Sequence, residues 1–128
     1  MEVNEITGII IDRCIKIHSL IGPGCIERVY EELLFYELNK LGLSVTKQIS
    51  MPLRYETLCI NNAYTLDLLV ENKIIIEIKS VENILPLHYK QVNTYLKLME
   101  LKHGILLNFK VDLMKNGIHR VFNNFGYE

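Results

Sequence analysis

Two acidic residues and one lysine stand inside strongly apolar segments near the middle of the chain. Asp67 lies in LDLLV, residues 66–70, and Glu77 and Lys79 lie in IIIEIK, residues 74–79. Burying a lone charge costs several kcal/mol, so such groups must be paired, solvated at a cleft or bound to a metal. Glu77 and Lys79 are two residues apart and would share one face of a strand, with Asp67 one hairpin away. The spacing therefore predicts two carboxylates and one ammonium at a single point of a sheet.

This constellation suits one kind of chemistry. Two converging carboxylates make a hard-oxygen site for Mg²⁺ or Mn²⁺, and a metal bound there can lower the pKa of a bound water and neutralise charge on a phosphoryl oxygen. A neighbouring lysine can orient that water or stabilise the developing anion. The pattern favours metal-assisted phosphodiester hydrolysis. The alternative is a purely structural ion network of Asp67, Glu77 and Lys79, because such short patterns also arise by chance.

Two predicted helices carry further candidates. Glu27 and Tyr30 are three residues apart on one helical face, and His88, Gln91 and Tyr95 form a polar and aromatic stripe on another helix. Taken singly, each stripe is also typical of an ordinary amphipathic surface, with the tyrosines at the edge of the core.

The basic residues give no global signature of nucleic-acid binding. The chain has 14 Lys and Arg against 15 Asp and Glu, a formal net charge of −1. Lys90, beside Gln91, is a candidate phosphate contact, with a solvated helix face as the alternative interpretation.

Three helices are expected to position these residues, at about residues 5–20, 26–41 and 86–102. Apolar residues recur at three- and four-residue spacing in the first two, and Gly42 is placed to end the second. Pro86 suits the first turn of the third helix, and His103 with Gly104 is expected to close it.

The segments between the helices read as strands. Short β-branched or aromatic runs at about residues 44–51, 53–60, 64–71 and 74–80 predict an antiparallel meander, broken at Pro52, Asn61-Asn62 and Asn72-Lys73. Two further strands are expected at residues 105–109 and 118–123, the second after an Asn116-Gly117 turn. The strand at 74–80, the third helix and the strand at 105–109 would form a right-handed crossover with parallel strands. The fold class is therefore α+β, a mixed β-sheet flanked by helices.

The proposed metal site also constrains the register of one hairpin. A two-residue turn at Asn72-Lys73 would place Asp67 and Glu77 on opposite faces of the sheet, because side chains alternate along a strand. A three-residue connection, residues 71–73, would place Asp67 directly across from Glu77. We therefore predict an odd-length connection or a compensating β-bulge.

Length and composition set the general class. At 128 residues, with 49% hydrophobic and 23% charged residues, the chain is expected to form one domain over residues 1–128. No apolar run is long enough to span a bilayer. The first five residues contain two glutamates and no basic residue, unlike a signal peptide. Three scattered cysteines support neither disulfides nor a zinc site. A cytoplasmic protein without a membrane partner is expected.

Several motifs together resemble a known family, the GxxExxY proteins of the PD-(D/E)XK nuclease superfamily. The matching stretches run in order along the chain: GPGCIERVY at 22–30, DLLVE at 67–71, IEIK at 76–79, QVNTYL at 91–96 and GILLNF at 104–109. The one departure is Leu66, which stands before Asp67 where the superfamily's name has proline.

The resemblance implies a restriction-endonuclease-like core. It implies that Asp67 and Glu77 are metal ligands, that Lys79 is the catalytic lysine and that Glu27 is a helix-borne acid completing the site. Gln91 is matched, with Tyr95, to a glutamine–tyrosine motif of exonuclease-like branches.

The expectation is thus a small Mg²⁺- or Mn²⁺-dependent nuclease acting on DNA. The Ile78 backbone carbonyl would add a metal ligand, and Gln91 would orient the phosphate or water. The expected substrate contacts are Tyr30, His88, Lys90 and Tyr95. A homodimer or a partner protein would supply further grip. The alternative is a non-catalytic module that binds nucleic acid or protein on the same scaffold.

Overall fold

The computed structural model describes residues 1–123, which form a five-stranded mixed sheet flanked by three α-helices. The elements, in chain order, are α1 (Val3–Ile21), α2 (Glu27–Lys40), β1 (Val45–Tyr55), β2 (Leu58–Val70), β3 (Ile74–Lys79), α3 (Pro86–Met99), β4 (His103–Asn108), a short 3-10 turn (Met114–Gly117) and β5 (Ile118–Phe122). The strand order is β1-β2-β3-β4-β5, with β3 and β4 parallel and the other neighbours antiparallel. The α+β class and the parallel pairing of β3 with β4 are confirmed.

The sheet has a core on each face. Helices α1 and α2 cover one face, where Ile76 and Ile78 point, and α3 covers the other face, which receives Ile75. Because side chains alternate along β3, Glu77 follows Ile75 onto the α3 side. The prediction that Glu77 and Lys79 lie on the opposite face of β3 from Ile76 and Ile78 is thus confirmed.

The first part of the predicted meander is wrong in its boundaries. Pro52 and Asn61-Asn62 do not end strands: β1 runs through the proline and β2 runs through the two asparagines, so three expected strands are two long ones. Pro52 is tolerated because β1 lies at the edge of the sheet, where a missing N–H is harmless. The register shifts between Met51 and Leu53, opposite the asparagines, which form a β-bulge instead of a turn.

The end of the third helix also differs from the prediction. Helix α3 begins at Pro86, as expected, but ends at Met99, where Glu100 adopts a left-handed conformation with φ of 56°. His103 and Gly104 therefore belong to β4. The predicted Asn116-Gly117 turn is the end of the 3-10 segment.

The hairpin that joins β2 to β3 has the odd-length connection that the chemistry requires. Val70 pairs with Ile74, so residues 71–73 form the connection, with positive φ at two of them. The same register, extended by one step, places Asp67 across from Glu77. The prediction of register is confirmed.

The length and composition of each helix decide whether it could span a membrane. Across residues 1–123, none of the helices combines the length and the apolar character that a membrane span needs.

Candidate active site

The carboxylates of Asp67 and Glu77 lie where the β2–β3 ladder ends. The last backbone pair is Leu68 with Ile76, and beyond it the side chains take over the pairing. Oε1 of Glu77 accepts a hydrogen bond from the Asp67 N–H at 3.3 Å, and Oδ2 of Asp67 accepts one from the Ile78 N–H at 2.8 Å. These bonds fix one oxygen of each carboxylate and leave Asp67 Oδ1 and Glu77 Oε2 for other partners.

Glu77 is held out of water, and Asp67 is partly buried. Glu77 is only 4% exposed. Burial raises the pKa of Glu77 to about 8, and the negative charge of Asp67 adds to the rise. Burial also raises the pKa of Asp67, against the opposing effect of the Ile78 N–H. Two desolvated carboxylates side by side are an arrangement that a cation stabilises.

Lys79 follows Glu77 on the same face of β3. Its Nζ lies 3.8 Å from Oε2 of Glu77, and its side chain is 17% exposed. The distance is that of a loose ion pair. The positive charge of Lys79 partly offsets the rise in the pKa of both carboxylates. The structure thus brings together the two carboxylates and the lysine of the predicted constellation.

The main chain of Ile78 faces the same place. Its N–H points toward β2, because it donates to Asp67. In an extended strand the N–H and C=O of one residue point to the same side. The Ile78 carbonyl is therefore directed toward the carboxylate pair.

Glu27 stands at the N-terminus of α2, in the layer opposite α3. Its Oε2 accepts a hydrogen bond from the Ser80 N–H at 3.1 Å, so the side chain faces the end of β3. Its charge contributes, as a minor cause, to the raised pKa values of Asp67 and Glu77. It also lines one cleft with Asp67, although Glu77 and Lys79 do not line that cleft.

Gln91 and Tyr95 approach from α3. Gln91 Nε2 donates to the Tyr95 hydroxyl at 3.0 Å, and the Tyr95 ring stacks on Tyr64 of β2, with ring centroids 5.1 Å apart. Burial raises the pKa of Tyr95, and the charge of Glu77 is the next cause. The glutamine–tyrosine pair is thus held rigidly within electrostatic range of Glu77.

Tyr30 is placed differently from the expectation. It is fully buried, and its ring stacks on Phe109 at a centroid distance of 4.2 Å. Its hydroxyl donates to the Gly22 carbonyl at 2.5 Å and accepts from the Cys25 N–H at 3.0 Å. The side chain anchors the loop before α2 and presents no surface to a substrate, so we leave it out of the site.

His88 and Lys90 lie at the outer side of α3. His88 Nδ1 accepts a hydrogen bond from the Leu85 N–H at 2.9 Å, which closes the first turn of the helix. Lys90 is exposed. Neither residue lines the cleft that Asp67 borders or the cleft between Glu27 and Lys110.

Two residues of this region were missed by the sequence analysis. Gln48 of β1 donates from Nε2 to Oε1 of Glu31 at 2.6 Å and to Oδ1 of Asp67 at 3.4 Å. Glu31 lies four residues after Glu27 on the same face of α2, a spacing that could have identified it. Gln48 gives no such signal, because its position depends on the register of β1 against β2.

Two open clefts meet at the start of α2. One, of about 530 Å³, is lined by Glu27, Arg28, Glu31, Glu32, Lys47, Gln48 and Asp67. The other, of about 590 Å³, includes Glu27, Arg28, Ser80 and Lys110. Glu27 and Arg28 border both, so the two clefts are continuous around the start of α2, and Asp67 lines the first of them.

The oxygen atoms gathered at this site are of the chemical type that binds a divalent cation. Two carboxylates with raised pKa values and a directed carbonyl are hard-oxygen ligands. Among residues 1–123, no three or more His, Cys, Asp or Glu side chains already converge closely enough to form a metal cluster. Asp67 and Glu77 are joined by the hydrogen bonds described above, and Glu27 is close enough for its charge to contribute to their raised pKa values.

A family comparison agrees with this geometry. A sequence model described as the PD-(D/E)XK nuclease superfamily matches residues 4–121, nearly the whole chain. Comparison with curated proteins and with solved structures gave no significant match.

Proposed function

Because the chain belongs to the PD-(D/E)XK nuclease superfamily, we propose that it is a divalent-metal-dependent nuclease that hydrolyses phosphodiester bonds in DNA. The observation that carries the proposal is the pairing of the buried Glu77 carboxylate with the partly buried Asp67 carboxylate, with the Lys79 ammonium 3.8 Å from Glu77. The motif stretches of the GxxExxY proteins support placing the chain in that branch of the superfamily.

Asp67 and Glu77 are the proposed ligands of Mg²⁺ or Mn²⁺, with the Ile78 carbonyl as a third donor. A divalent cation bound there supplies charge neutralisation at the phosphoryl group and a water of lowered pKa. The remaining oxygens of the pair, Asp67 Oδ1 and Glu77 Oε2, are the ones not held by the backbone of the opposite strand. Glu27 is proposed to join them from α2.

Each remaining residue has a distinct proposed role. Lys79 orients the attacking water or stabilises the charge that builds on the phosphate, since its ammonium borders the site in a largely buried setting. Gln91, held by Tyr95, orients the phosphate or water. Hydrolysis then forms a bond from water oxygen to phosphorus and breaks the bond to the ester oxygen.

The path for the nucleic acid is proposed to run along the two clefts beside α2. Arg28, Lys47 and Lys110 line it and place positive charge along the clefts that Glu27 and Asp67 border. Lys47 and Lys110 are paired with Glu32 and Glu82, at 2.6 and 2.9 Å, in exposed ion pairs that a phosphate can replace. With so few cations, further grip is proposed to come from a homodimer or a partner protein.

The test is cleavage of a panel of single-stranded, duplex and branched DNA and RNA in Mg²⁺, Mn²⁺ or EDTA. We expect cleavage of DNA with either cation, none with EDTA, and a loss of about 100-fold or more in Lys79→Met, as for other electrostatic groups at a reacting centre. A matched control is Lys40→Met, at the opposite end of α2 from Glu27 and about 20 Å along the helix, which should cleave like the wild type.

The outcomes separate the proposal from its alternative. Metal-independent binding of nucleic acid without cleavage, unchanged in Lys79→Met, would indicate the non-catalytic module. Cleavage of RNA alone would refute DNA as the substrate while leaving the site intact.

A further inference from the structure

Gln48 interrupts the regular strand β1 directly opposite Asp67. The residues on both sides of it pair in register with β2, but Gln48 itself has φ of 51°. This left-handed conformation favours glycine, and non-glycine residues adopt it mainly at turns and at functional sites. The other described non-glycine residues with positive φ lie in hairpin connections, at the β2 bulge or at the end of α3: Glu56, Asn62, Glu71, Asn72 and Glu100.

The unusual backbone turns the Gln48 amide toward two carboxylates. Nε2 donates to Glu31 Oε1 at 2.6 Å and to Asp67 Oδ1 at 3.4 Å. An amide nitrogen carries two hydrogens, so it can serve both acceptors at once, and both acceptors require that the nitrogen face inward. The orientation of the amide is thereby fixed.

Glu31 gives this contact a rigid support. Glu31 is 5% exposed and belongs to α2, which packs against the sheet. The short bond to Glu31 holds Gln48, and the longer bond to Asp67 reaches the oxygen that the Ile78 N–H does not bind. Asp67 is therefore held from β3 through Oδ2 and from β1 through Oδ1.

We propose that Gln48, supported by Glu31, is a positioning residue that orients the Asp67 carboxylate for the metal. The inference rests on the proposed function, since it assigns Asp67 as a ligand. Residues that hydrogen-bond metal ligands typically change metal affinity by 10- to 100-fold when they are removed, without contacting the ion.

A glycine substitution separates this role from a structural one. Gln48→Gly removes the amide and also suits the φ of 51°, so relief of backbone strain offsets the lost hydrogen bond to the buried Glu31, and the thermal stability of the metal-free protein should change little. Mn²⁺ affinity, measured by electron paramagnetic resonance, should fall about 10-fold or more. Glu31→Gln keeps an acceptor for the amide and should retain more affinity than Glu31→Ala.

The matched control is Ser50→Ala. Ser50 lies two residues further along β1, and its hydroxyl also bonds to a side chain of β2, Asn62, at 2.6 Å. This variant should bind Mn²⁺ like the wild type. A lower stability of Gln48→Gly with unchanged Mn²⁺ affinity would overturn the proposal.

A second readout needs no metal. The Ile78 amide donates to Asp67, so its hydrogen exchange in EDTA reports whether that carboxylate stays in place. We expect faster exchange of the Ile78 amide in Gln48→Gly and no change in Ser50→Ala. A wild-type protein that binds no Mn²⁺ would refute the proposed metal site, whereas unchanged exchange in Gln48→Gly would refute the positioning role itself.

Discussion

Asp67 and Glu77 face each other on neighbouring antiparallel strands, and each carboxylate accepts a hydrogen bond from the main chain of the opposite strand. The two bonds replace the backbone pairing that ends at Leu68 and Ile76. This exchange keeps two carboxyl groups side by side, with Glu77 buried and Asp67 partly buried. Without a cation, ionising both carboxylates carries an electrostatic cost.

The first prediction concerns metal-dependent stability. Mg²⁺ should raise the melting temperature, because a ligand that binds the folded state stabilises it by about 2.7 kcal/mol at 100 times its Kd. The double change Asp67→Asn with Glu77→Gln should abolish this rise and stabilise the metal-free protein by removing like-charge repulsion. Differential scanning fluorimetry with and without Mg²⁺ measures both effects. An undiminished response in the double variant would exclude these residues as the ligands.

The second prediction concerns pH in the metal-free protein. The folded pKa of Glu77, about 8, is above its unfolded value of about 4.3, so the folded state keeps a proton that the unfolded state loses. The stability from this group is complete below the unfolded pKa and is lost as pH rises toward 8. Urea unfolding in EDTA should therefore show a lower free energy of unfolding at pH 8.5 than at pH 5.5. Glu77→Gln should remove most of that difference. A difference in the free energy of unfolding equal to that of the wild type would refute the raised pKa of Glu77.

The geometry of this pair was the part of the site most accessible from sequence. Counting residues across the hairpin already excluded a two-residue turn if Asp67 and Glu77 were to share a metal, and the three-residue connection agrees. The argument worked because pairing is regular from the turn as far as Leu68 and Ile76, one residue short of Asp67 and Glu77. The apolar residues around Glu77 likewise predicted that its side chain is buried.

The third prediction tests the junction of α1 and α2, away from the site. The buried Glu37 carboxylate accepts hydrogen bonds from Arg13 at 3.1 Å, Lys16 at 3.0 Å and Lys40 at 3.4 Å. The hydrogen bond from Lys16 is the largest cause of its lowered pKa. Glu37→Gln should cost on the order of 1 kcal/mol at neutral pH, a modest value because the lysines are partly exposed.

The sign of this effect with pH is opposite to that of Glu77. A lowered carboxylate pKa stabilises the fold above the unfolded pKa, and that stability is lost as pH falls through the folded value. The deficit of Glu37→Gln should therefore shrink in acid, and its Mg²⁺ response should match the wild type. A Mg²⁺ response that disappears in this variant would mean that the cation binds elsewhere.

The fourth prediction concerns the contact of α3 with β4. A Cβ added to Gly104 would lie 2.8 Å from Val92 Cγ1 and 3.3 Å from Leu96 Cδ1, so the Val92 side chain or α3 itself must shift. Gly104→Ala should destabilise the protein by about 1–3 kcal/mol, as other overpacked cores do. The control is Gly8→Ala in α1, where nothing lies within 4 Å and the better helix propensity of alanine should stabilise the protein. Chemical denaturation of both variants should give opposite signs, and equal signs would refute the tight packing.

Other parts of the structure could not be predicted from one sequence. Asn61-Asn62 favours a turn or a bulge equally, since both need residues that tolerate positive φ, and only the pairing of β1 with β2 decides between them. The burial of Tyr30 depends on its stacking with Phe109, which lies far away in sequence. Gln48 reaches Asp67 only because the strand adopts a left-handed residue at that point.

The most direct test of the account is the anomalous scattering of Mn²⁺ in crystals of the wild-type protein. We predict a peak within direct coordination distance of Asp67 Oδ1 and Glu77 Oε2, on the side that the Ile78 carbonyl faces. The peak should be absent from crystals of Glu77→Gln grown in the same way. A Mn²⁺ ion bound away from both carboxylates, or no peak at millimolar Mn²⁺, would contradict the central claim that this pair holds the metal.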